Sequence, residues 1–113
     1  MRTLKYLYYA VRQLVAVKRQ HKQFDTSVTY GALKKVGFLQ REIAAMKELH
    51  HDNIVEWFHT IETSTDIYVV LEYCGSGTLF KVICQRNGLS EDETKLVFVQ
   101  VLSALVYMHS KCM

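Results

Sequence analysis

Between Leu96 and Met108 only Gln100 and Ser103 are clearly polar, and the residues ahead of this run spell a helix start. Ser90 can accept a free backbone N–H of the first turn while Glu93, three residues on, reaches back to the Ser90 N–H. Glu91 and Asp92 add negative charge where the helix dipole is positive. The helix that follows is apolar nearly all round, and such a helix needs cover on every side. The run is too short to cross a bilayer core, so that cover must be protein. Few elements remain in 113 residues to supply it.

At this length the chain is one domain, able to bury roughly two-thirds of its unfolded surface. Half of its residues are hydrophobic, and no low-complexity or repeated segment occurs, which excludes a disordered chain. The net charge of +3 is dispersed, with Lys18-Arg19, Lys34-Lys35 and Arg41 set among acids. A nucleic-acid footprint needs a denser basic face, so neither nucleic acid nor a membrane is an expected partner. Three cysteines, Cys74, Cys84 and Cys112, lack regular spacing and follow no leader, which fits a reducing intracellular compartment, cytoplasmic or nuclear.

The Tyr- and Leu-rich stretch Leu4 to Ala10 reads as a strand, and Arg12-Gln13 turns it into a second strand from Leu14 to Arg19. Asp25, Thr26, Ser27 and Thr29 suit a loop and helix cap ahead of an amphipathic helix from about Gly31 to Leu49. Ile54 to Glu62 and Asp66 to Tyr73 are two β-branched and aromatic runs split by Thr63-Ser64-Thr65, a second hairpin. Gly75-Ser76-Gly77 breaks the last strand, and Thr78 to Arg86 reads as a short helix closed by Asn87-Gly88.

Two charged residues stand out against this pattern. Lys18 ends the apolar strand Leu14-Val15-Ala16-Val17-Lys18, where alternation puts Ala16 and Lys18 on one face and Val15 and Val17 on the other. On the helix, a 3.6-residue period lines up Val36, Phe38, Leu39, Ile43, Met46 and Leu49, and Glu42 falls on that same face. A carboxylate facing a core needs a cation and further hydrogen bonds, and Lys18 is its expected partner.

The order hairpin, Val15-Ala16-Val17-Lys18, helix with inward Glu42, hairpin, Gly-containing link and capped apolar helix resembles the protein kinase catalytic domain. Arg41-Glu42-Ile43-Ala44-Ala45-Met46 through Asn53-Ile54-Val55 is similar to the kinase C-helix and the turn after it. Ile67 through Leu79 is similar to the fifth strand, gatekeeper and hinge. Leu89 through Lys111 is similar to the E-helix. Four such words in order are specific where each alone is not. The hinge wording, Leu71-Glu72-Tyr73-Cys74-Gly75-Ser76-Gly77-Thr78-Leu79, also resembles that of NIMA-related kinases.

The resemblance implies an α+β fold: residues 1–74 as a kinase-like N-lobe, an antiparallel sheet lacking its first strand plus the C-helix, and 75–113 as the hinge link with the D- and E-helices of a truncated C-lobe. It implies ATP as the cofactor and a protein substrate, serine/threonine rather than tyrosine. Lys18 would hold the α- and β-phosphates and Glu42 would orient it, which suits a reaction carried by positioning and electrostatics. Ala16 would roof the adenine, Leu71 would be the gatekeeper, and the backbone of Glu72 and Cys74 would bond the adenine edge. Met46 and Trp57 match the hydrophobic spine that ties the C-helix to the sheet; their residue types alone read as core.

Other features invite duller readings. Gly75 and Gly77 lack the strand-to-helix setting and spacing of a phosphate cradle and are expected to be a flexible link. His50, His51 and His109 have no partner at metal-ligand spacing and are expected to be structural. Cys74 is expected to be an ordinary packed cysteine.

The chain departs from the kinase pattern at both ends. No glycine precedes Tyr8-Tyr9-Ala10, so the Gly-rich loop has no counterpart, and Leu7 stands near the usual adenine-covering valine. No residue matches the His-Arg-Asp loop or the Asp-Phe-Gly site that would hold magnesium. A kinase domain incomplete at both ends, inactive alone, is therefore expected. The alternative is a non-catalytic, pseudokinase-like module binding nucleotide or protein.

Overall fold

Strong β formers in alternation produce strands, and the computed structural model describes residues 3–8, 13–22 and 30–113, with side chains from 14–22 and 37–113. In chain order these are β1 (Thr3–Tyr8), β2 (Gln13–His21), α1 (Tyr30–Glu48), β3 (Trp57–Glu62), β4 (Asp66–Glu72), α2 (Leu79–Arg86) and α3 (Glu91–Ser110). The class is α+β, as expected. The strands form one antiparallel sheet in the order β1-β2-β4-β3. The first hairpin is present, but Gln13 pairs with Tyr8 as a strand residue rather than turning the chain. The loop and cap residues Asp25 to Thr29 and the side chains of Leu7 and Val36 lie outside the described residues.

The chain divides into two compact units, one of Met1–His50 with Glu56–Tyr73 and one of His51–Val55 with Cys74–Met113. In the first, Leu39 and Ile43 of α1 pack with Ile67 and Val69 of β4, and Trp57 and Leu71 close over that cluster. Ile67 and Val69 are almost fully buried, each contributing about 1.5–3 kcal/mol of hydrophobic stabilisation. The α1 stripe is narrower than its sequence predicts. At about 100° per residue Leu39, Ile43 and Met46 stay within roughly 60°, whereas Phe38 lies about 100° from Leu39 on the flank. Phe38 is accordingly exposed. Leu49 is buried from beyond the last helical turn.

The second unit explains why β3 starts at Trp57 and not at Ile54. Residues 51–53 are tied to α3: His51 Nε2 meets Ser103 Oγ at 3.1 Å, and Asn53 Nδ2 donates to Gln100 Oε1 at 3.2 Å. The Asn53 N–H bonds His51 Nδ1 at 3.0 Å, and the Ile54 N–H closes on the His51 carbonyl. The two polar interruptions of the apolar run are thus the residues that grip this link.

Thr78 caps α2 by accepting the Lys81 N–H at 3.1 Å. Asn87 then turns left-handed at φ 59°, and the Gly88 N–H returns to the Ile83 carbonyl at 2.9 Å, which satisfies an end carbonyl in a Schellman-type closure. At α3 the capping box is complete, with Ser90 N–H on Glu93 Oε2 at 2.9 Å and Glu93 N–H on Ser90 Oγ at 3.2 Å. Of α3 only Ala104 is buried; Leu96, Phe98, Val99 and Val106 are all at least 60% exposed. No helix among the described residues is long and apolar enough to cross a membrane.

Candidate functional site

The β2–β4 register decides which side chains share a face. Ala16 stands opposite Leu71, and Lys18 opposite Val69, so both lie on the face where Val69 meets α1. Val15 and Val17 alternate to the other face and are buried there.

Lys18 Nζ reaches Glu42 Oε1 at 3.0 Å. The ammonium is mostly sheltered, with 22% of the lysine side chain exposed, whereas 51% of the glutamate side chain is exposed. Glu42 therefore does not face the core as its periodicity suggested: it lies about 60° from Leu39, on the flank that exposes Phe38. A pair this open contributes about 0.2–1 kcal/mol to stability. Its consequence is geometric, because it holds a cation on the α1-facing side of the sheet.

Leu71 is half-buried against the core cluster. Glu72, the last residue of β4, is exposed; its N–H donates to the Glu56 carbonyl at 2.9 Å, and its Oε2 accepts the Glu56 N–H at 3.1 Å. Cys74 is exposed, which corrects the expectation of a packed cysteine. It enters a Gly-Ser-Gly link whose residues all face solvent and offer it no apolar cover. Cys74 belongs to the second unit, the other five site residues to the first.

Trp57 reaches the core through a register shift. The pairing runs Thr60 with Val69, His59 with Val70 and then Trp57 with Leu71, so Phe58 is an extra residue. Strict alternation back from Thr60 would turn Phe58 inward; the bulge turns Trp57 inward instead. Its indole N–H donates to Thr60 Oγ1 at 2.8 Å, and Lys47 Nζ lies 5.1 Å from the ring centroid. Met46 is half-buried.

A buried carboxylate escaped the sequence reading. Asp66 accepts from Arg19 Nε at 2.8 Å and Thr65 Oγ1 at 2.7 Å and meets His21 Nδ1 at 3.2 Å. The Arg19 hydrogen bond above all, then that of Thr65, holds its carboxyl far below the usual range. Its only sequence signal is an acid beginning an apolar strand behind three hydroxyl residues. Arg19 and His21 become its neighbours only through the β2–β4 register.

His50 Nδ1 meets Glu56 Oε1 at 2.8 Å, and His51 has the partners given above. No cluster of three or more His, Cys, Asp or Glu able to hold a metal occurs among the described residues. Lys18, held by Glu42, suits an anionic phosphate.

A family profile described as protein kinase domain matches residues 4–113. Maternal embryonic leucine zipper kinase of Danio rerio is 50% identical over 70 residues, 62% of this chain and 10% of its own length. SNF1-related protein kinase catalytic subunit alpha KIN12 of Arabidopsis thaliana is 36% identical over 102 residues, 88% of this chain and 21% of its own length. CBL-interacting serine/threonine-protein kinase 9, also of Arabidopsis thaliana, is 42% identical over 78 residues, 69% of this chain and 17% of its own length. The chain therefore spans about a tenth to a fifth of the relatives it matches.

Proposed function

Because this chain belongs to the protein kinase domain family, we propose that it supplies the lysine–glutamate half of an ATP site in a serine/threonine protein kinase. The observation that carries this reading is the 3.0 Å Lys18–Glu42 pair on the α1-facing side of the sheet. Lys18 donates to the α- and β-phosphates, and Glu42 keeps its ammonium in place while charge builds on the transferring group. Ala16 leaves room for the adenine, Leu71 bounds its inner edge, and the backbone of Glu72 and Cys74 bonds its polar edge. Serine/threonine specificity is supported by relatives that carry it in their names. Kinship with NIMA-related kinases rests on the hinge wording alone.

The 113-residue chain on its own binds nucleotide weakly and transfers no phosphate, since no residue in it matches the family's His-Arg-Asp or Asp-Phe-Gly. The test is ATP titration of the purified chain beside Lys18→Ala. Loss of charge-assisted hydrogen bonds is expected to weaken binding at least about tenfold. Equal affinity of the two proteins would remove the role given to Lys18, and phosphate transfer by the chain alone would refute the second statement.

The outward apolar side of α3 favours a second reading, a non-catalytic module that docks a protein there. On that reading a stoichiometric complex would slow amide exchange along α3 while Lys18→Ala left the complex intact.

A further inference from the structure

Glu72 marks the place where the chain leaves the sheet. The β3–β4 ladder ends at Trp57 opposite Leu71, and the β2–β4 ladder ends at Val15 opposite Glu72. One position past the β3 ladder, a clasp takes over. The Glu72 N–H bonds the Glu56 carbonyl at 2.9 Å, as a further rung would, but the Glu56 N–H is received by the Glu72 side chain at 3.1 Å. The Glu56 carboxylate in turn meets His50 Nδ1 at 2.8 Å. His50 directly follows Leu49, the buried residue that anchors the end of α1. A continuous chain of contacts thus runs from the helix carrying Glu42, through His50 and Glu56, to the backbone of Glu72, all inside one compact unit.

We propose that Glu72, through its carboxylate, and His50, through Glu56, are positioning residues for the nucleotide: they fix the Glu72 backbone relative to α1. The inference rests on the ATP reading above. The Glu72 carboxylate is engaged by the Glu56 backbone N–H and the clasp is exposed, while pairing with Val15 keeps the strand in the sheet, so the clasp tunes affinity without holding the fold.

The experiment uses the 113-residue chain with Glu72→Ala, Glu72→Gln, His50→Ala and the Ala–Ala double variant. It reads ATP affinity by titration and Glu56 amide exchange by NMR. Glu72→Ala is expected to speed Glu56 exchange about fivefold and to weaken ATP binding about three- to tenfold, the size of one net hydrogen bond. Glu72→Gln keeps an acceptor oxygen and should restore both. The His50→Ala and Glu72→Ala effects on affinity should be non-additive, because both cut one chain. Faster exchange with unchanged affinity, or strictly additive effects, overturns the inference. If Lys18→Ala weakens binding while the clasp variants bind as wild type, only the inference fails. If the wild-type chain binds no ATP, the ATP reading fails and the positioning role falls with it.

Discussion

Trp57 and Phe58 differ in fate by one bulge, and that difference sets a stability contrast. Trp57 is half-buried against the core and hydrogen-bonded to Thr60, whereas Phe58 is 38% exposed. Trp57→Ala is expected to cost about 2–3 kcal/mol, below the 3–5 kcal/mol of a fully buried aromatic, and Phe58→Ala less than about 1 kcal/mol. Urea unfolding of the two variants measures both; equal losses would contradict the register. Ile67→Ala, at a site only 2% exposed, should cost about 2–5 kcal/mol in the same assay. The Lys18–Glu42 pair behaves oppositely: Glu42→Gln should change stability by less than about 1 kcal/mol, because a pair this exposed is screened by water.

At the scale of elements, local chemistry and packing divide the work. The α3 start was readable because a capping box closes within four residues, and both of its bonds are present. Ser90→Ala removes the acceptor for the Glu93 N–H and is expected to cost about 1 kcal/mol. Restoration by Ser90→Asp, but not by Ser90→Val, would tie the loss to capping. The end of α2 was equally readable, since Asn87-Gly88 occupies left-handed conformations that few other residues adopt cheaply. Less visible was the contact joining these helices, Arg86 Nη1 to Glu93 Oε1 at 2.7 Å. It requires knowing how the intervening turn folds back. For β3 the apolar run beginning at Ile54 misled, because the link to α3 through His51 and Asn53 takes those residues before the strand begins.

For the molecule as a whole, two of the described carboxylates tie stability to acidity. The Arg86 hydrogen bond first, and then Ser90, pulls the Glu93 carboxyl from an ordinary 4.5 down to about 2. Asp66 is lowered further, chiefly by Arg19. A group whose folded pKa is depressed is protonated first in the unfolded chain, so falling pH favours unfolding. Stability from these two groups is complete above about pH 4.5 and is lost progressively as pH falls toward 2. Thermal melts between pH 6 and 2.5 should show Tm falling through that window, with a shallower slope in Glu93→Gln; an unchanged slope would contradict the assignment. At neutral pH the exposed apolar side of α3 is the feature that favours association. The 113-residue chain is expected to self-associate at micromolar concentrations, and Phe98→Glu with Val106→Lys should reduce that association in sedimentation experiments.

Legible in the residues alone were the element order, the capping box of α3, the Asn87-Gly88 closure of α2 and the kinase signature with its Lys18 and Glu42, because these rest on short-range periodicity and on residue types whose chemistry is local. Three-dimensional packing was needed to place Glu42 at the margin of the core, to turn Trp57 rather than Phe58 inward, and to gather Arg19 and His21 around Asp66. It also decided that Glu72 is held by Glu56. Each of these depends on strand register or on the azimuth of a helix against a sheet. A shift of one residue reverses the face of a strand, and no local propensity records it.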